Sequence, residues 1–196
     1  MAVTGWTSTG SISWSGSESP GPITYSVAGV ESFLTRDVTG DFTGDFDFIT
    51  NINPSAVDRD VGGRIIWCWQ STSLYYALTY EIQTTPYAFY FQKNSTVINT
   101  NTIASYSAAL GGNKSNITVK ISKRGTTFTI GIDLTGGTSF NTIITATDSS
   151  LTHGKIGYAT PNTWDNGAQS SFYFNSFTPV SSSSGEIPIA LFNQNF

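Results

Sequence analysis

Charge is scarce in this chain. Its 196 residues include nine Lys and Arg and 13 Asp and Glu, 11% in all, where an average soluble domain carries about a quarter. The basic residues are scattered apart from Lys120, Lys123 and Arg124, and the net charge is -4. No stripe exists to follow a phosphate backbone, so nucleic acid is excluded as a partner. Cysteine is rarer still. Cys68 stands alone, which rules out an intramolecular disulfide and a structural zinc site. Set between Trp67 and Trp69, it reads as a small buried hydrophobe. His153 is the one histidine. No serine or cysteine in its context makes a catalytic triad, so it reads as a turn residue. No apolar run approaches the roughly 20 residues of a membrane-spanning helix. The opening Met-Ala-Val-Thr-Gly-Trp-Thr-Ser has neither a basic nor an apolar leader region, so no export signal is expected in the chain as given. Helical periodicity is missing too: no segment of ten or more residues repeats at 3.6.

What remains is abundant Thr, Ser, Asn and Gly with 14% aromatics, a mixture that favours strands and turns. The segment "NITVKISKRGTTFTIGID", residues 116–133, alternates Ile117, Val119 and Ile121 with polar residues. It breaks at Lys123-Arg124-Gly125, then alternates Phe128, Ile130 and Ile132. This predicts a β-hairpin with one face in a core. Residues 62–93 hold three further runs of period two: Ile65, Trp67, Trp69; then Leu74, Tyr76, Leu78, Tyr80, Ile82; then Tyr87, Phe89, Phe91. Turn chemistry at Ser71-Thr72-Ser73 and Thr84-Thr85-Pro86 separates them. Strands are also expected at 23–27, 32–37, 42–50, 141–147, 155–159 and 171–179. Ten to twelve short strands predict an antiparallel sandwich or barrel, and the length suits one such unit. In "GDFDFIT", Phe46 and Phe48 should enter the core while Asp45 and Asp47 face outward; the first "TGDF" should close the preceding strand in a Gly turn. Two glycosylation sequons, at Asn94 and Asn116, carry little weight in a chain so rich in Thr and Asn.

The order of these motifs resembles the concanavalin A-like lectin/glucanase superfamily, including its laminin-G-like and pentraxin-like jelly rolls. The resemblance is carried by "ESFLTRDVTGDFTGDFDF", the aromatic middle strands, "ITVKISKRGTTFTIGID" and the closing "GKIGYATPNTWDNGAQSSFYFNSFTPV". It spans residues 5–180 and implies an all-β, antiparallel two-sheet jelly-roll sandwich. Such a fold hosts many functions. Residues 1–180 are thus expected to form the sandwich, and 181–196 a Ser/Gly linker with an apolar arm.

Three chemistries follow from that resemblance. Retaining glycosidases need two carboxylates about 5 Å apart, and laminarinase-type relatives place theirs as E-x-D-x-x-E on one strand. The glutamates here, Glu18, Glu31, Glu81 and Glu186, form no such pattern. Asp45 and Asp47 share a strand face without a following Glu, so no catalytic residue is assigned. Calcium, which relatives hold through loop oxygens, would draw on Asp41, Asp45, Asp58 and Asp60, with no closed ligand loop; no cofactor is required. Glycan binding needs only aromatic platforms and amide or carboxylate partners. Trp67, Trp69 and Tyr76 either line a sheet face for this purpose or belong to the core. In "PNTWDNGAQ", Trp164 beside Asp165, Asn166 and Gln169 is either a sugar platform in a polar loop or a plug for the sandwich end.

The final decapeptide "IPIALFNQNF" is the remaining feature. Ile187, Ile189, Leu191, Phe192 and Phe196 are too apolar for a solvated tail, so the arm should fold back on its sandwich or dock on a neighbouring protein subunit. These features lead to the expectation of a non-enzymatic attachment or assembly protein, an exterior virion component such as a phage capsid decoration or tail-associated protein that binds host glycans. The rival expectations are an extracellular lectin module and a glycoside hydrolase of the same fold.

Overall fold

The computed structural model describes residues 3–18, 21–25, 31–38, 44–54, 61–82, 87–94, 96–103, 116–160 and 170–180. They contain fourteen strands and no helix: β1 (Thr7–Thr9), β2 (Trp14–Gly16), β3 (Ile23–Tyr25), β4 (Phe33–Arg36), β5 (Asp45–Pro54), β6 (Val61–Ser71), β7 (Leu74–Ile82), β8 (Tyr87–Lys93), β9 (Thr96–Ile103), β10 (Ile117–Arg124), β11 (Thr127–Asp133), β12 (Asn141–Thr147), β13 (Lys155–Ala159) and β14 (Ser170–Val180). Two seven-stranded antiparallel sheets result. One runs β1-β4-β13-β6-β7-β8-β9; the other runs β12-β11-β10-β5-β14-β3-β2. The expected hairpin is β10–β11, with Ile121 opposite Ile130 and the turn at Gly125 and Thr126. β9 is not among the expected strands, and the Trp- and Gly-rich start, where the motif order implied one early strand, forms two, β1 and β2, each of three residues and too short to show a period.

Alternation explains the layers. In β5, Phe46, Phe48, Thr50 and Ile52 are buried and the residues between them are not packed into the core. The same phase sends Val119 and Ile121 of β10, Phe128, Ile130 and Ile132 of β11, and Phe172 of β14 inward. From the opposite sheet come Ile65, Trp67, Tyr76, Leu78, Tyr80, Phe89 and Phe91. Trp67 stacks on Phe91 at 5.4 Å and meets Phe128 of the other sheet at 5.9 Å. These rings bind the two layers by burial and by offset ring contacts.

Trp69 departs from the expected phase. Cys68 has φ 49°, and the β6–β7 register shifts between Trp67 and Ser71. This β-bulge inserts two residues of β6 relative to β7 and one relative to β13, and Cys68 joins the inner core with Trp67 while Trp69 turns to the outer face. There it packs 6.3 Å from Phe33, beside Ile66 and Tyr75. Gly154 makes the bulge sterically feasible: a Cβ on it would lie 2.6 Å from the Cys68 carbonyl carbon.

Candidate functional site

The second sheet turns a polar face outward. On β5 that face carries Asp45, Asp47, Ile49, Asn51 and Asn53; on β10 it carries Thr118, Lys120, Ser122 and Arg124, one row after another across the pair. On β14 it carries Tyr173 and Asn175. Tyr173 lies opposite Asn51, and the register then slips by one residue between Phe174 and Ser176. Asn175 is the extra residue of this bulge, and it is exposed.

These residues surround a cleft of about 760 Å³ lined by Glu18, Asn51, Asn53, Asn116, Tyr173, Phe174 and Asn175. Its floor is a directional chain of amides. Asn175 Nδ2 donates to Asn51 Oδ1 at 2.7 Å, and Asn51 Nδ2 donates to Asn116 Oδ1, also at 2.7 Å. Asn51 thus spends an acceptor and a donor inside the protein, at 8% exposure. Asn116 adopts φ 70° just before β10, a conformation Asn tolerates better than most residues. Its Nδ2 rests on Gly136, where a Cβ would come within 2.1 Å.

One wall of the cleft is aromatic. Tyr173 is half-buried, and Gly21 lies against its ring, where a Cβ would meet Cδ1 at 2.6 Å. Beneath it the Thr50 hydroxyl donates to the Tyr173 carbonyl at 2.9 Å. That leaves Thr50 Oγ1 to accept from the buried Tyr158 hydroxyl at 2.8 Å, whose pKa burial pushes upward. The acidic corner is neutralised: Glu18 Oε1 pairs with Arg36, and Oε2 accepts from Trp6 Nε1 at 3.3 Å. The Arg36 guanidinium lies 4.8 Å from the Phe174 ring centroid. A water-accessible cleft of neutral donors and acceptors beside an aromatic ring suits a polyhydroxylated, uncharged ligand.

Farther along the same face, Asp45 and Asp47 are committed to the β10–β11 hairpin. Asp47 bridges Lys120 Nζ and Arg124 Nη2, each at 2.9 Å. Asp45 accepts from the Gly125 backbone N–H at 2.7 Å and lies 3.8 Å from Lys123 Nζ. Partial burial pushes the Asp47 pKa up, but hydrogen bonds from Lys120, Ser122 and Arg124 outweigh it and hold the carboxyl below its ordinary value. A glycosidase acid is tuned in the opposite direction. The paired aspartates are therefore a strand clamp, with their phenylalanine neighbours inside as expected.

Other expected site residues lie elsewhere. Trp67 and Tyr76 are fully buried between the sheets; neither ring has a face for a ligand, which corrects their candidacy as sugar platforms. Tyr76 reaches the edge only through its hydroxyl, which accepts from the Leu151 backbone N–H at 3.0 Å. Trp69 lines a separate cavity of about 250 Å³ on the opposite sheet with Asp37, Gln70, His153 and Lys155. Trp164, Asp165, Asn166 and Gln169 lie outside the described residues, as do Asp41, Asp58, Asp60, the first "TGDF" and the arm carrying Ile187, Ile189, Leu191, Phe192 and Phe196. Among the described residues no three His, Cys, Asp or Glu side chains gather as metal ligands, and no helix is long and apolar enough to cross a membrane.

The amide cleft was not anticipated from sequence. A trace of it existed: "ITNIN" puts Asn51 and Asn53 in the outward phase of a strand whose Phe46 and Phe48 point in, and "FYFN" does the same for Tyr173 and Asn175. Nothing local says that these strands, some 120 residues apart, are neighbours.

No protein-family model matches the sequence, and no curated protein sequence is significantly similar to it. Solved structures do resemble it. Carbohydrate-binding module CBM66 from Bacillus subtilis aligns over 89% of this chain and 96% of its own, with TM-score 0.65 and 19% identity. Lectin I-B4 from Griffonia simplicifolia, in its metal-free form, aligns over 90% and 94%, with TM-score 0.57 and 9% identity. The CBM2 module of the evolved Dit of Lactobacillus casei BL23 phage J-1 aligns over 88% and 91%, with TM-score 0.56 and 14% identity. At such identities the likeness is one of fold, and the fold is the concanavalin A-like jelly-roll sandwich that the motif order implied.

Proposed function

We propose that this protein is a non-catalytic carbohydrate-binding module and that its ligand sits in the amide cleft. The observation that carries this reading is the chain Asn175–Asn51–Asn116 beside the Tyr173 ring in an open cleft of about 760 Å³. Amides offer donor and acceptor side by side, which matches the alternating demands of sugar hydroxyls, while an aromatic ring accepts the apolar face of a pyranose. Two of the similar structures are named as carbohydrate-binding modules and one as a lectin, which supports the reading without assigning a sugar. The ion-paired state of Asp45 and Asp47 favours binding over hydrolysis, and the cleft needs no calcium to complete its lining.

The test is retention of the full-length chain on a printed glycan array beside Tyr173→Ala and Asn53→Ala. Loss of a wild-type signal in both variants, at unchanged thermal stability, supports the cleft. Equal retention by both variants overturns it. The rival platform at Trp164 is tested in the same experiment by Trp164→Ala.

A finer reading places the module on the outside of a virion. It rests on the fold shared with a phage Dit module and on the apolar arm at 187–196, which would dock on a neighbouring subunit. Sedimentation of the full-length chain beside one ending at Val180, each checked for cooperative melting, tests it. Defined oligomers that become monomers on truncation support an assembly arm; monomers in both cases refute it.

A further inference from the structure

A second cavity shares the face that bears the cleft. It holds about 200 Å³ and is lined by Lys120, Ser122, Thr129, Gly131, Phe140 and Thr142. Its aromatic element is Phe140, which lies on β11 because residue 131 is glycine: a Cβ there would sit 3.0 Å from the Phe140 Cβ. Lys120 Nζ is 6.0 Å from the ring centroid, and its charge is met by Asp47.

Register places the two cavities in one line. Asn51 of the first is paired with Thr118, and Lys120 of the second, two residues on, is paired with Ile49 on one side and Gly131 on the other. Ile49, half-buried and outward, thus lies between them. From Tyr173 on β14 to Phe140 above β11 the face crosses β5 and β10, three strand spacings or about 14 Å. A single sugar ring is about the size of one aromatic side chain, so it cannot touch both.

Resting on the glycan reading of the cleft, we infer that the ligand is an internal stretch of a neutral, extended polysaccharide, at least three units long, running across the strands from Tyr173 to Phe140. Neutrality follows from the lining: the cleft presents amides with Glu18 neutralised by Arg36, and the second cavity presents hydroxyls, its one charged group, Lys120, being engaged by Asp47, which Arg124 shares. A terminal-sugar site would need only the amide cleft and would leave Phe140 without a role in binding.

The test is titration calorimetry of the full-length chain with gluco-, xylo- and galacto-oligosaccharides of one to six units, on wild type, Phe140→Ala and Phe140→Tyr. Affinity is expected to rise through at least the third unit of the bound series and to change less than twofold between 50 and 500 mM salt, on the order of ordinary screening of an uncharged ligand. Phe140→Ala should lower the affinity of trimers and longer chains about tenfold, the scale of one lost stacking contact, while leaving shorter ones unchanged; Phe140→Tyr should retain wild-type behaviour. Because Phe140→Ala could unfold β11–β12, amide chemical shifts of Phe140 and Thr142 in the wild type provide a second readout, moving with trimer and not with monomer. Binding that is independent of length, or shifts confined to the cleft, overturns the extended site and leaves the cleft standing. Absence of binding by every oligosaccharide, together with a blank array, overturns both.

Discussion

Asn175 and Asn51, 124 residues apart in sequence, are joined by one hydrogen bond of 2.7 Å from Nδ2 to Oδ1 across the β14–β5 pair. Because Asn51 passes a donor on to Asn116, it holds the floor of the cleft from both sides. Asn51→Ala would remove both bonds, and because the partners Asn175 and Asn116 are exposed and can turn to water, the loss should be about 0.5–1.5 kcal/mol, the net scale of a hydrogen bond. Urea unfolding should show that destabilisation, and glycan affinity should fall at least about tenfold with it. Asn51→Asp keeps the acceptor, loses the donor to Asn116 and puts a charge in a neutral floor, so its binding should weaken as pH rises through the carboxylate range.

Trp67 provides the opposite control. It is fully buried against Phe91, Tyr76 and Phe128. Trp67→Ala should cost about 3–5 kcal/mol, read as a drop in Tm of roughly 10 °C for a chain of this size. Any protein still folded should keep its glycan affinity. A variant that binds less without melting earlier would put Trp67 back in the site.

Two glycines separate steric demand from backbone demand. At Gly157 a Cβ would lie 2.1 Å from the Leu34 carbonyl oxygen, so alanine must push β13 away from β4. At Gly125, φ +58°, nothing lies within 4 Å. Gly125→Ala should cost about 1–2 kcal/mol, the strain of a left-handed conformation. Gly157→Ala should cost more, about 3 kcal/mol or above. Equilibrium denaturation of the two variants side by side reads the difference.

Acid stability should report the strand clamp. Asp47 is held below its ordinary pKa of 3.8, so its folded form favours the carboxylate. It adds stability that is present above 3.8 and lost as pH falls through the lower, folded-state value. Asp47→Asn should remove about 0.5–1 kcal/mol at neutral pH, the scale of a partly exposed ion pair. The gap to wild type should close as the pH drops below 3.8, followed by thermal melts across the acid range; a gap that stays constant with pH would show the clamp to be steric.

Chelation should leave binding unchanged. Glu18 is the one carboxylate in the described lining of the cleft, and it is already bonded to Arg36 and Trp6. Array retention with and without EDTA checks this directly. A signal that vanishes with EDTA and returns with calcium would transfer attention to Asp41, Asp58 and Asp60.

Period two along "NITVKISKRGTTFTIGID" and "GDFDF" was enough to determine strands, the β10–β11 hairpin and which phenylalanines point inward, because alternation is a property of each strand's own backbone. The choice of a sandwich over a barrel came from the order of motifs shared with the concanavalin A-like superfamily. Alternation failed at Trp69, where a bulge around Cys68, one residue against β13 and two against β7, reverses the phase. Periodicity has no way to register an insertion that the neighbouring strand absorbs. The same holds at Asn175, where a second bulge brings an exposed amide over the β5 floor.

The sequence by itself therefore determined a low-charge, all-β chain in which Phe46 and Phe48 point inward and Asp45 and Asp47 outward, and it left open which of Trp67, Trp69 and Tyr76 are core. Only the tertiary structure decided which residues line the proposed cleft. Asn51, Asn116, Tyr173 and Asn175 come from three separate stretches of chain, and each alone is an ordinary polar or aromatic residue on a strand or turn. They become a cleft through the long-range register of β5 with β10 and β14, set by core packing on the other side of the sheet, which local pattern does not encode.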